Sequence, residues 1–136
     1  MPQKEIVWTK ESERGDYEAA LAFLSLVYSA ARTKALVKSL RSAPVIQRTA
    51  KDLLRASQLP LLPPDETRVK DDRKKIAKGK PLAPVLLVTG DMTIGVPLLV
   101  ADGYHRICAA CHFDEDAFVH CRMVSSPMAT RATRRS

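Results

Sequence analysis

Asp102-Gly103-Tyr104-His105-Arg106 sets a carboxylate, an imidazole and a guanidinium within five residues of one another. The stretch follows the apolar run Val96-Pro97-Leu98-Leu99-Val100-Ala101 and precedes a helix-like segment, Ile107-Cys108-Ala109-Ala110-Cys111. A strand that ends at a glycine and opens into a helix aims several backbone N–H groups at one point, and the helix dipole adds partial positive charge there. Such a bend favours an anion. His105 and Arg106 add donors, and Asp102 adds a carboxylate able to hold Mg²⁺ beside a phosphate or to orient a substrate hydroxyl. The expected chemistry is phosphate or nucleotide handling, with Asp102 and His105 as candidate catalytic groups. A cation at a helix start opposes the dipole, so Arg106 calls for an anion nearby. Asp102 is the alternative partner, which would make the pair structural. By the same bland reading, Asp102 caps the turn through its own hydrogen bonds and His105 seals it.

Cys108-Ala109-Ala110-Cys111-His112 has the spacing of a c-type haem attachment site, and His120-Cys121 follows nearby. Haem attachment of that kind needs export, and the opening Met-Pro-Gln-Lys-Glu has no apolar signal core, so no haem is expected. Zinc held by Cys108, Cys111, His112, His120 and Cys121 is the stronger competitor. A strand over Phe118–Val124 would send His120 and Cys121 to opposite faces. Structural thiols, not zinc, are therefore expected.

The elements that must position these residues can be read from periodicity. Residues 16–41 predict one long helix, with Asp16 as its N-cap and an apolar face too wide for a single stripe. Its cover is expected to be the domain itself or a second copy, as in a homodimer. Pro44 predicts the first turn of another helix over 43–57, with Val45, Ile46, Thr49, Leu53 and Ala56 facing inward. The three prolines between Gln58 and Asp65 predict an extended segment. A polar helix is expected over 66–78, with Val69 and Ile76 as its seam, ending at Gly79. Pro84–Val88 and Val96–Ala101 predict two paired strands, and 117–124 a last one.

Composition narrows the function classes. The chain has 136 residues, enough for one domain, and aromatics make up only 5%, which disfavours base-stacking platforms. The net charge is +7, and three of the arginines behind it (Arg131, Arg134, Arg135) lie in the acid-free tail 125–136. That tail is expected to be disordered and to be the contact for nucleic acid, should there be one. Glu18 interrupts the longest apolar stretch, 17–31, which falls short of a membrane span. A cytoplasmic protein with no membrane partner is expected.

From about Arg68 to Val124 the chain resembles the ParB/sulfiredoxin superfamily. The features are Val69-x6-Ile76-x2-Gly79, then Pro84-Val85-Leu86-Leu87-Val88, then Ala101-Asp102-Gly103-Tyr104-His105-Arg106, then the closing strand. The resemblance implies an α/β (α+β) fold with a small mixed sheet, here within a single domain over 1–124. Residues 59–124 would form the core and 1–58 an N-terminal helical extension. It implies that Gly103, Tyr104, His105 and Arg106 cradle phosphate, and that Arg68, Asp71 and Lys75 on the preceding helix face a nucleotide (ATP, ADP or CTP) with Mg²⁺. Tyr104 stands where sulfiredoxins carry their nucleophilic cysteine, so that activity is not implied. The Asp-Gly pair is similar to the turn of free-serine kinases, with the histidine one residue later. The leading expectation is a nucleotide- or phosphate-binding domain whose chemistry would be phosphoryl transfer or hydrolysis. The alternative is a non-catalytic DNA-binding or regulatory module of ParB-like type, using the basic tail and helix 66–78.

Overall fold

A computed structural model of the chain describes residues 5–125. Its elements run α1 (Arg14–Leu24), α2 (Ala30–Ser42), β1 (Val45–Thr49), α3 (Ala50–Ser57), α4 (Thr67–Ala77), β2 (Val85–Val88), β3 (Leu99–Asp102), α5 (Tyr104–Phe113) and β4 (Phe118–Val124), with a short 3₁₀ turn at Met92–Ile94. The four strands form one mixed sheet in the order β1-β4-β2-β3. β1 pairs antiparallel with β4, β4 parallel with β2, and β2 antiparallel with β3. This is a mixed α/β fold, as the sequence predicts.

β2 explains the layering. All four of its residues are buried, as expected of a strand covered on both faces. Val85 and Leu87 join the cluster that α3, α4 and α5 close, with Leu53, Val69, Ile76 and Ile107. Leu86 and Val88 join the cluster closed by α1 and α2, with Leu24, Leu36 and Leu40. The sheet is thus a middle layer, with a helical hairpin on one face and three helices on the other. The buried guanidinium of Arg122 on β4 ties the layers to the N-terminal stretch, donating to Ala43 O, Lys10 O and Glu11. Among the described residues no helix is long and apolar enough to cross a membrane.

The strand expected over 96–101 runs over Leu99–Asp102, and two predicted helix spans need correcting. The long helix over 16–41 is two helices. Ser25 follows α1, its hydroxyl donating to Ala22 O at 2.7 Å, and Ser29 N-caps α2 by accepting from Arg32 N. The break lets α2 fold back on α1, so Leu36, Val37 and Leu40 pack with Tyr17, Ala20 and Leu24, whereas Leu21, Phe23, Ala30, Ala31 and Ala35 are exposed. Leu26 and Val27 at the turn remain exposed. The helix over 43–57 is also wrong for its first half. Val45–Thr49 is the edge strand β1, and Thr49 N-caps the shorter α3 by accepting from Asp52 N instead of facing inward. Residues 45–57 therefore contribute a strand and a core helix, where a purely helical extension was expected. The arginines of the tail lie outside the described residues.

Candidate functional site at the Gly103 bend

Glu66 begins α4, its carboxylate accepting from the N–H groups of Arg68 and Val69 at 3.0 and 3.3 Å. These bonds hold its pKa below the usual carboxylate range. Val69 and Ile76 bury the inner seam of α4. Helical spacing then sets Arg68, Asp71, Asp72 and Lys75 on one neighbouring face. β3 ends at Asp102, and Gly103 turns the chain into α5 with φ +106°. Only glycine fits comfortably here, because a Cβ would also collide with the Val85 side chain. The bend can therefore lie close against β2.

The α4 face and the first turn of α5 together line a pocket of about 280 Å³. Its walls are Arg68, Asp71, Asp72, Lys75, Asp102, Gly103, His105 and Arg106. Residues read separately, from the bend and from α4, are thus brought together. The N-cap of α5 is Gly103, which has no side chain to accept from the first-turn N–H groups. Neither Arg68 nor Lys75 makes an ion pair among the described residues.

Arg106 is already engaged. One terminal nitrogen donates to Ala83 O at 2.6 Å, and the other reaches Asp102 at 2.5 Å and Asp16 at 3.1 Å. The three side chains are only 12%, 17% and 16% exposed. Arg106 borders the pocket, yet its charge is spent on two carboxylates and the chain before β2. The structural alternative for the Asp102–Arg106 pair is the arrangement found. Burial pushes the Asp102 carboxyl up to about 7, helped by its hydrogen bond with Asp16 and opposed by Arg106. Burial also raises the pKa of Asp72, against the pull of Lys75 and Arg106.

His105 lines the pocket, with Nε2 3.6 Å from the Glu66 carboxylate. Tyr104 does not join it. Its hydroxyl donates to Pro60 O at 2.5 Å, so its side chain secures the proline-rich segment and only its backbone belongs to the bend.

The cysteine and histidine residues do not assemble. Cys108 is fully buried and its thiol pKa is raised by burial. His112 Nε2 meets Leu62 O at 2.7 Å, His120 stacks on Trp8, and the Cys121 thiol points to Ile46 O. Among the described residues no three His, Cys, Asp or Glu side chains are grouped to hold a metal ion.

Sequence reading missed Asp16 as a site residue. It is not the N-cap of α1 but sits one turn in, with one carboxylate oxygen on Glu13 N and the other on Arg106. No local signal marks a contact spanning 90 positions. Asp72 was also missed, although its spacing from Arg68 and Lys75 could have found it. No family model, curated protein or solved structure matches the chain.

Proposed function

We propose that the pocket at the Gly103 bend binds a phosphate-bearing small molecule, a nucleotide in the fullest case, on a domain of ParB/sulfiredoxin type. The observation that carries the reading is the convergence of Arg68, Lys75 and His105 on the uncapped start of α5. Backbone N–H groups, the positive helix end and two cations without ion-pair partners among the described residues all favour the same guest, an anion.

In this reading Arg68 and Lys75 neutralise the phosphate, and the backbone of Gly103 to Arg106 sets its position. His105 donates to a phosphate oxygen. Arg106 is a positioning residue that holds Asp102 at the pocket wall. Asp102 has a carboxyl that titrates at about 7. It is therefore suited to orient a hydroxyl and take its proton, the step that phosphoryl transfer to that hydroxyl would need. No three carboxylates are grouped to hold a metal among the described residues, so Mg²⁺ would need the phosphate itself as a ligand beside one or two of them. That ion is usually held by one or two carboxylates plus the phosphates themselves, and Asp71, Asp72 and Asp102 offer carboxylates in the same pocket. When bound it would supply further neutralisation of phosphate charge.

A thermal-shift panel tests the proposal, with ATP, ADP, CTP, GTP and inorganic phosphate, each with and without Mg²⁺. Ligand at about 100 times its Kd adds about 2.7 kcal/mol of stability. At least one phosphate compound is expected to give such a shift in the wild type, and an Arg68→Ala/Lys75→Ala double variant is expected to lose it. No shift from any compound, or an undiminished shift in the double variant, overturns the proposal.

A further inference from the structure

A second cavity, of about 360 Å³, lies at the other end of α5, where Phe113 and Asp114 close the helix. Its walls combine two chemistries. Trp8, Phe113, Phe118 and His120 supply rings, and Glu5, Asp114 and Asp116 supply carboxylates. No lysine or arginine is among the described residues that line it.

Two of the rings form a stack. Trp8 and His120 stack with centroids 5.4 Å apart and planes 10° from parallel. Burial lowers the His120 pKa, so this imidazole stays neutral at neutral pH and adds no opposing charge. Phe118 is 57% exposed, so its ring is open to a guest in the cavity. Asp114 Oδ1 accepts from Asp116 N at 2.9 Å, which ties the two acidic residues together. Asp116 also pairs with Lys51, which stands outside the lining. The C-terminal end of the α5 dipole adds partial negative charge on the same side.

Ring faces, carboxylates and a helix C-terminus all attract one kind of guest, a cation with apolar substituents. We infer that this cavity binds an organic ammonium ion, with its charged head against Asp114 and its alkyl groups on the rings of Trp8 and Phe118. The inference is independent of the phosphate reading, because it uses none of the residues of the Gly103 bend.

Trp8 is the one tryptophan of the sequence, so its fluorescence reports on this cavity directly. Choline and its uncharged isostere 3,3-dimethylbutan-1-ol are titrated at fixed ionic strength. Choline is expected to change the emission saturably, with the isostere at least about tenfold weaker. Asp114→Asn and Phe118→Leu, each confirmed as folded by circular dichroism, are expected to weaken choline by about fivefold or more. Arg68→Ala/Lys75→Ala is expected to leave it unchanged. Equal binding of the isostere, or no saturable response to choline up to about 100 mM, overturns the inference. So do two folded cavity variants that bind choline as the wild type does.

Discussion

At its first turn α5 meets Arg68, Lys75 and His105, whereas its last turn meets Asp114, Asp116 and a set of aromatic rings. The first-turn pocket also holds Asp71, Asp72 and Asp102, so one helix separates a mixed-charge site at its start from an acidic, ring-lined one without lysine or arginine at its end. The Cys108-x2-Cys111-His112 segment between them has the most suggestive residue types in the chain, yet its side chains diverge into the core and onto backbone carbonyls. Residue type alone does not make a site. What distinguishes the Gly103 end is convergence of groups from α1, α4 and the bend on one small volume.

The largest expected effect comes from breaking that convergence. Arg106→Met would leave Asp16 and Asp102 facing one another without their shared guanidinium. The account expects a loss of about 3 kcal/mol in urea unfolding. Gly103→Ala comes next, at about 2 kcal/mol, because the left-handed backbone disfavours any side chain and Val85 blocks the space. Conservative changes in the cavity at the other end, such as Phe118→Leu, are expected to stay within about 0.5 kcal/mol.

The asymmetry between these ends was only partly legible in the sequence. The run Val85–Val88, the glycine before α5 and the Val69/Ile76 seam follow from local patterns, and the structure places each as read. The face of α4 was legible too, since Arg68 and Lys75 are seven apart on one helix. β1 was not. Val45 and Ile46 suit a helix face as well as a strand, and what decides is pairing with β4 more than 70 residues away. The break at 25–29 was hidden because serines sit in a helix without obvious penalty until one of them caps a second helix. Asp16 was invisible for the reason that hides β1: its partner is remote in the chain. For Tyr104 the sequence pointed to the backbone of the bend, and the contact of its side chain with Pro60, remote in the chain, left no local signal.

A third test sharpens the comparison through pH. The Asp102 carboxyl, ordinarily 3.8, titrates at about 7 in the folded chain. Between those values the folded state keeps a proton that the unfolded state has released. The contribution of Asp102 to stability is therefore greatest at low pH, falls as pH rises through this window, and levels off above it. Asp102→Asn mimics the protonated form and is expected to flatten that part of the stability–pH profile, read from urea midpoints between pH 5 and pH 8. A profile unchanged by the substitution would contradict a raised Asp102 pKa in the folded chain. The smallest effect is expected at the cysteines. Added Zn²⁺ should leave the melting temperature within error, because His112 Nε2 is engaged by Leu62 O and His120 stacks on Trp8.

Amide shifts in a ¹⁵N-correlated spectrum would test the central claim most directly, read during separate titrations with ATP, ADP, CTP, GTP and inorganic phosphate, each with Mg²⁺. The account predicts, with at least one of them, saturable displacement of the Gly103, Tyr104, His105 and Arg106 amides, with those of Phe113 to Asp116 still. Unmoved amides at the bend in every titration, or shifts confined to other parts of the molecule, would contradict it.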